Sequence, residues 1–138
     1  MSKTYTGLNI RKVFAPDGEV SRSLANFEVR PEQIEMASSV QQAFLTGRRL
    51  AVEAGTGVGK SFAYLIPAAD FASNGMGRML VSTFTITLQE QLVNKDIPFL
   101  NRCLPRKLNA VLAKGRGNYL CIRRLKFALQ HDRRLIDD

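Results

Sequence analysis

The chain has 138 residues, 45% of them hydrophobic, and a formal charge of +8 with a pI near 10. That length holds one domain with a real core and suits a soluble globular α/β protein. No apolar run approaches the roughly 18 residues of a membrane span, and Met1-Ser2-Lys3-Thr4-Tyr5 lacks the apolar core of a signal peptide, so no membrane partner and a cytoplasmic location are expected.

Residues 1 to 29 carry short β-prone pieces, Tyr5 to Ile10 and Val13-Phe14, around the turn-forming Ala15-Pro16-Asp17-Gly18. A helix is predicted from Pro31, with an apolar stripe at Ile34, Ala37, Val40, Ala43 and Phe44 and a stop at Gly47. Arg49 to Glu53 then reads as a buried strand and runs into Ala54-Gly55-Thr56-Gly57-Val58-Gly59-Lys60-Ser61. This is a phosphate-binding loop in which Ala54 stands where the usual pattern has its first glycine. Glycines let backbone N–H groups close around a polyphosphate, Lys60 adds a point charge for the β- and γ-phosphates, and the Ser61 hydroxyl suits Mg²⁺. The helix that follows, Ser61 to Ser73, turns its N-terminal N–H groups and dipole toward the same anion, and Pro67 is expected to kink it.

Beyond the glycines at 75 and 77, Arg78 to Ser82 is a second expected strand, Thr85 to Lys95 a helix, Ala110 to Ala113 a third strand, and Asn118 to Gln130 a last helix. Alternating strands and helices imply parallel pairing through right-handed crossovers, with a ligand crevice at the carboxyl ends of the strands. Three polar segments fall there: Ala54 to Ser61, Thr83 to Thr87, and Lys114 to Asn118. Hydroxyls at alternate positions from Thr83 can hold a nucleic-acid phosphate or serve as plain helix caps. The basic excess calls for a polyanion, nucleic acid first. Much of it lies late, in Arg102, Arg106, Lys107, Lys114, Arg116, Arg123, Arg124, Lys126, Arg133 and Arg134, and the alternative is a solvated basic face. Cys103 and Cys121 are too few and too separated for a disulfide framework and should be reduced.

Four stretches taken together, Arg30-Pro31-Glu32-Gln33 with Met36, the loop Glu53 to Ser61, Thr83 to Leu92, and Lys114-Gly115-Arg116-Gly117-Asn118-Tyr119-Leu120-Cys121, resemble consecutive motifs of the DinG/XPD helicases, superfamily 2 DEAH-type enzymes that move 5′ to 3′ on single-stranded DNA. The resemblance runs from about Phe27 to Leu125 and implies an α/β RecA-like P-loop NTPase fold, a partial parallel sheet flanked by helices that forms the first part of motor domain 1. The implied organisation is an N-terminal segment over 1–29, the ATP-binding part over 30–113, and the start of an iron-sulfur region over 114–138.

Residue by residue, the resemblance implies that Gln33, with Arg30 nearby, contacts adenine, and that Ala54, Gly55, Thr56, Gly57, Val58, Gly59, Lys60 and Ser61 bind ATP and Mg²⁺. Thr83, Thr85 and Gln89 would touch the DNA backbone, and Cys121 would be the first of four ligands to a [4Fe–4S] cluster. The Asp-Glu-Ala-His-like box, the other cluster cysteines and the second motor domain with its arginine finger are missing from the chain, and neither Asp137 nor Asp138 follows an apolar strand. An exonuclease domain, which some relatives carry, is not expected before Phe27. The expectation is therefore weak nucleotide binding without unwinding by this chain alone. Two rivals are a non-catalytic nucleic-acid-binding module with a vestigial loop, using its basic C-terminal helix, and a small P-loop phosphotransferase.

Overall fold

A computed structural model describes residues 5–132, so Arg133, Arg134, Asp137 and Asp138 lie outside the described residues. The helices are α1 (Ile10–Val13), α2 (Pro31–Thr46), α3 (Lys60–Ser73), α4 (Ile86–Gln91), α5 (Ile97–Cys103) and α6 (Ile122–Asp132), with a π segment Leu92–Asp96 joining α4 to α5 and 3-10 turns at Ser21–Ser23 and Arg116–Asn118.

α2 follows the sequence reading. Pro31 opens it, and Gly47 closes it in the left-handed region at φ 66°, where a side chain would be strained. α3 begins one residue earlier than predicted, at Lys60, and passes through Pro67, which lies fully buried inside it. The expected helix over 85–95 is the front part of a longer helical run reaching Cys103. Pro98 offers no N–H to the Asn94 carbonyl, and its ring crowds that carbonyl. Widening the turn over Leu92–Asp96 relieves the crowding, and the Ile97 N–H reaches back to the Leu92 carbonyl. α6 starts four residues later than predicted, after the 3-10 turn at Arg116–Asn118.

The predicted parallel sheet does not form among the described residues. Segments 49–53, 78–82 and 110–113 run outside any helix with no ladder partner, and the short N-terminal pieces expected as β-prone give α1 and turns instead. A strand satisfies its backbone only through a neighbour, and a strand of a parallel sheet needs a layer on each face. Here the apolar side chains meant for that interior face outward: Leu50 is 45% exposed, Leu80 92% and Val111 92%. Composition and periodicity marked these residues as β-prone; pairing, which they cannot specify, is what is lacking.

The core is helical and centres on α3. Ala63, Leu65, Ile66 and Ala69 of α3 are buried with Ala37 of α2, Leu92, and Phe99 and Leu100 of α5, while Ile10, Val13, Phe14 and Val20 close the cluster from the N-terminal side. Alanines at 37 and 63 are both completely buried, and small side chains let helix backbones approach closely. Phe62 packs on Phe99 with ring centroids 5.2 Å apart, and Phe71 meets Phe44 and Tyr5 at 5.5 Å each.

One buried carboxylate ties the N-terminal segment to α3. Asp70 Oδ2 accepts from the Tyr5 hydroxyl at 2.5 Å and from the Leu8 N–H at 2.9 Å, while Oδ1 accepts from Asn74 Nδ2 at 2.8 Å. Gln41 of α2 donates to the Leu8 carbonyl at 2.7 Å. Burial, and then the hydrogen bond to Asp70, push the Tyr5 hydroxyl well above its usual range. Asp70→Ala strands two part-buried donors, the Tyr5 hydroxyl and the Leu8 N–H, and is expected to lower unfolding free energy by about 1–3 kcal/mol in a urea titration. Because the folded state holds the Tyr5 proton more tightly, its contribution is complete below about pH 10 and declines above it. Tyr5→Phe should therefore flatten the alkaline fall in stability.

Candidate phosphate-binding site

The loop between the extended segment 49–53 and α3 is set by two left-handed glycines and two side chains of the α2 start. Gly57 has φ 83° and Gly59 has φ 81°, and Gly59 is the N-cap of α3. Gln33, only 3% exposed, donates from Nε2 to the Gly59 carbonyl at 2.9 Å, and that carbonyl also accepts from the Ala63 N–H at 3.3 Å. Arg30 donates from Nη1 to the Gly57 carbonyl and lies 3.4 Å from Glu28. These contacts span 26 and 27 residues of sequence, so two expected ligand-contacting residues act here as braces of the loop.

Lys60 folds back over the loop. Its Nζ donates to the Ala54 carbonyl at 3.0 Å and the Gly55 carbonyl at 2.6 Å, remaining solvent-exposed. Gly55 and Gly57 face open space, with nothing within 4 Å of where a Cβ would stand. Thr56 is exposed, Val58 half-buried, and Ser61 half-buried in the first turn of α3. Tyr64, one turn on, is pushed up chiefly by burial; the Ser61 hydroxyl lowers it in part and the Asp96 charge raises it. Asp96, 8% exposed, is itself pushed up by burial, with Gln91 and Lys95 opposing. Sequence reading missed this Ser61–Tyr64–Asp96 neighbourhood; the i, i+3 spacing of Ser61 and Tyr64 was its one local signal.

The other expected contacts are placed as follows. Thr85 caps α4, its Oγ1 accepting from the Leu88 N–H at 3.2 Å, and Thr83 Oγ1 donates to the Thr85 carbonyl at 3.1 Å. Gln89 turns Oε1 inward, where it is buried with no hydrogen-bond partner. Thr83 and Gln89 line a cavity of about 830 Å³ between segments 77–83 and 107–113, and the glycine loop is not part of its wall. The stretch from Lys114 is joined to α4 through Lys114 Nζ and Glu90 Oε1 at 2.8 Å, while the Lys114 N–H donates to the Tyr119 hydroxyl at 2.8 Å. Cys121 is exposed and Cys103 half-buried, and no group of three or more His, Cys, Asp or Glu among the described residues could hold a metal.

Gly59→Ala should cost more than Gly57→Ala. Both force a side chain into the left-handed region at roughly 1–2 kcal/mol, but an alanine at 59 would also stand 2.1 Å from the buried Gln33 Nε2, against open space at 57. Denaturation midpoints of the two variants measure the difference. Equal losses would show that the Gln33 contact does not constrain the loop.

A DEAD/DEAH box helicase family model matches residues 33–125. The chain is 42% identical over 113 residues to the ATP-dependent DNA helicase YoaA of Escherichia coli, covering 82% of this chain and 17% of that protein. It is 49% identical over 100 residues to the ATP-dependent helicase DinG of Mycobacterium tuberculosis, covering 70% and 15%, and 33% identical over 113 residues to the 3'-5' exonuclease DinG of Bacillus subtilis, covering 82% and 12%. No solved structure matches. The chain thus spans less than a fifth of the length of these relatives. With the model matched across the glycine loop and the segments on either side of it, the chain belongs to the DEAD/DEAH box helicases.

Proposed function

We propose that the chain is the ATP-binding part of a 5′ to 3′ ATP-dependent DNA helicase, in which hydrolysis drives movement along single-stranded DNA, and that it works in the cytoplasm. The observation that carries this reading is the braced glycine loop at the head of α3. Gln33 and Arg30 hold two of its carbonyls, and Lys60 rests on two others.

Phosphate oxygens would take over the Lys60 ammonium from the Ala54 and Gly55 carbonyls, since an anion outcompetes neutral acceptors for a cation. The open space over Gly55 and Gly57 admits them, and the first N–H groups of α3 face the same region. A single hydroxyl, Ser61, fits Mg²⁺, which keeps most of its shell as water and phosphate oxygen. When bound, Mg²⁺ would neutralise charge on the phosphates. With Nε2 spent on Gly59, Gln33 reaches adenine only through its remaining amide groups, so its contribution to nucleotide affinity passes partly through loop shape. Thr83, Thr85 and Gln89 are the proposed DNA-backbone contacts, with Thr85 keeping its hydroxyl proton free of the cap bond.

A [4Fe–4S] cluster does not fit the residues present. Such a cluster takes four thiolates, the chain has two cysteines, and Cys103 lies at the end of α5 while Cys121 precedes α6. No helix among the described residues is long and apolar enough to cross a membrane.

Calorimetric titration of the chain with ATP and Mg²⁺ should show saturable binding, weakened roughly 10- to 100-fold in Lys60→Ala, the scale of a lost charge-assisted bond. Equal affinity in the two proteins would overturn the assignment and favour a module whose loop takes no part.

A further inference from the structure

We propose that Arg30 is a positioning residue of the phosphate loop: by holding the Gly57 carbonyl it fixes the peptide that presents the Val58 N–H, so it sets affinity for the triphosphate chain of a nucleotide and makes no contact with the base. This role deepens the nucleotide-binding reading above and rests on it.

Local structure gives Arg30 no other reason to stand where it does. It is the N-cap of α2, a position that favours Ser, Thr, Asp or Asn, and it makes no side-chain cap bond. A cation there also faces the positive end of the helix dipole. Its one ionic partner among the described residues is Glu28, at 3.4 Å with the two side chains 44% and 78% exposed, and an ion pair that open to water contributes little. The remaining contact is the bond from Nη1 to the Gly57 carbonyl, 27 residues away in sequence.

That bond acts on a defined peptide. Gly57 is exposed, has φ 83° and meets open space where a Cβ would stand, so no side-chain packing settles its conformation. Among the described residues no peptide is cis, and a trans peptide points its N–H opposite to its carbonyl. With the Gly57 carbonyl drawn to Arg30, the Val58 N–H is turned away from the start of α2. Gln33 does the same two residues on, holding the Gly59 carbonyl and so orienting the Lys60 N–H. The two clamps act on alternate peptides of a loop whose N–H groups suit an anion, and neither depends on what the phosphates carry. Both side chains leave from the start of α2, which packs on α3 through the buried Ala37 and Ala63, so the clamp is anchored in the core although the loop is not. A glycine loop held in one shape before its ligand arrives gives up less conformational freedom on binding.

The test is calorimetric titration of the full chain, with Mg²⁺ present, by ATP and by tripolyphosphate, which has the phosphates and no base. Arg30→Gln should weaken both ligands by the same factor, about fivefold, the scale of one hydrogen bond, and Arg30→Lys, which keeps a charged donor, should recover most of the loss. In the ligand-free protein the Val58 amide signal of an NMR spectrum should move in Arg30→Gln while signals of the helical core stay in place, which separates a turned loop peptide from a general loss of structure. Weaker ATP binding with tripolyphosphate unaffected would give Arg30 to the base and overturn the proposal, as would unchanged affinity for both ligands or an unmoved Val58 signal. The two readings stay separable: a wild type that binds neither ligand removes the nucleotide-binding reading and this role with it, whereas ATP binding that depends on Lys60 but not on Arg30 removes only the role given to Arg30.

Discussion

The buried hydrogen bond from Gln33 to the Gly59 carbonyl joins the two structures on which the rest depends, the α2–α3 helix pair and the glycine loop. Such a bond contributes only about 1 kcal/mol net, yet its position matters more than its size. Gly59 is at once the N-cap of α3, a left-handed residue and the acceptor of a side chain from another helix, so the loop cannot change shape without disturbing the α2–α3 contact. The alanines at 37 and 63 bring the helices close enough for a glutamine at the start of α2 to reach the start of α3. Core packing and site geometry are thus coupled through one carboxamide.

That coupling explains the state of Lys60. Its ammonium is satisfied by carbonyls of its own loop and remains exposed to water. The loop carbonyls are divided between intramolecular cations and amides, Ala54 and Gly55 to Lys60, Gly57 to Arg30, Gly59 to Gln33. Lys60 is solvent-exposed, whereas Gln33 is 3% exposed.

On the far side of α3 the same chain is less settled. Segments 78–82 and 110–113 border a cavity of about 830 Å³ with apolar walls from α3 and the π segment, and Gln89 holds a buried oxygen there without a donor. The helical layer packs well because its contacts are mostly between near neighbours in sequence or between two long helices. The extended segments have no such local solution: their backbone groups need partners that lie far away along a chain, and the relatives are more than five times as long.

The sequence alone determined the helices with strong punctuation. Pro31 and Gly47 bounded α2, and the Gly-x-Gly-Lys-Ser ending placed the start of α3 within one residue, because prolines and positive-φ glycines act over a few residues; the sequence left the cap of α4 open between Thr83 and Thr85, and the structure gives it to Thr85. The sequence also marked the β-prone runs without being able to pair them. Tertiary structure alone decided that those runs remain unladdered, that Gln33 and Arg30 brace the loop across more than 25 residues, that Lys114 meets Glu90, and that Asp70 anchors Tyr5. Each is a contact between distant residues, and local propensity carries no information about which distant partner a polar group will find.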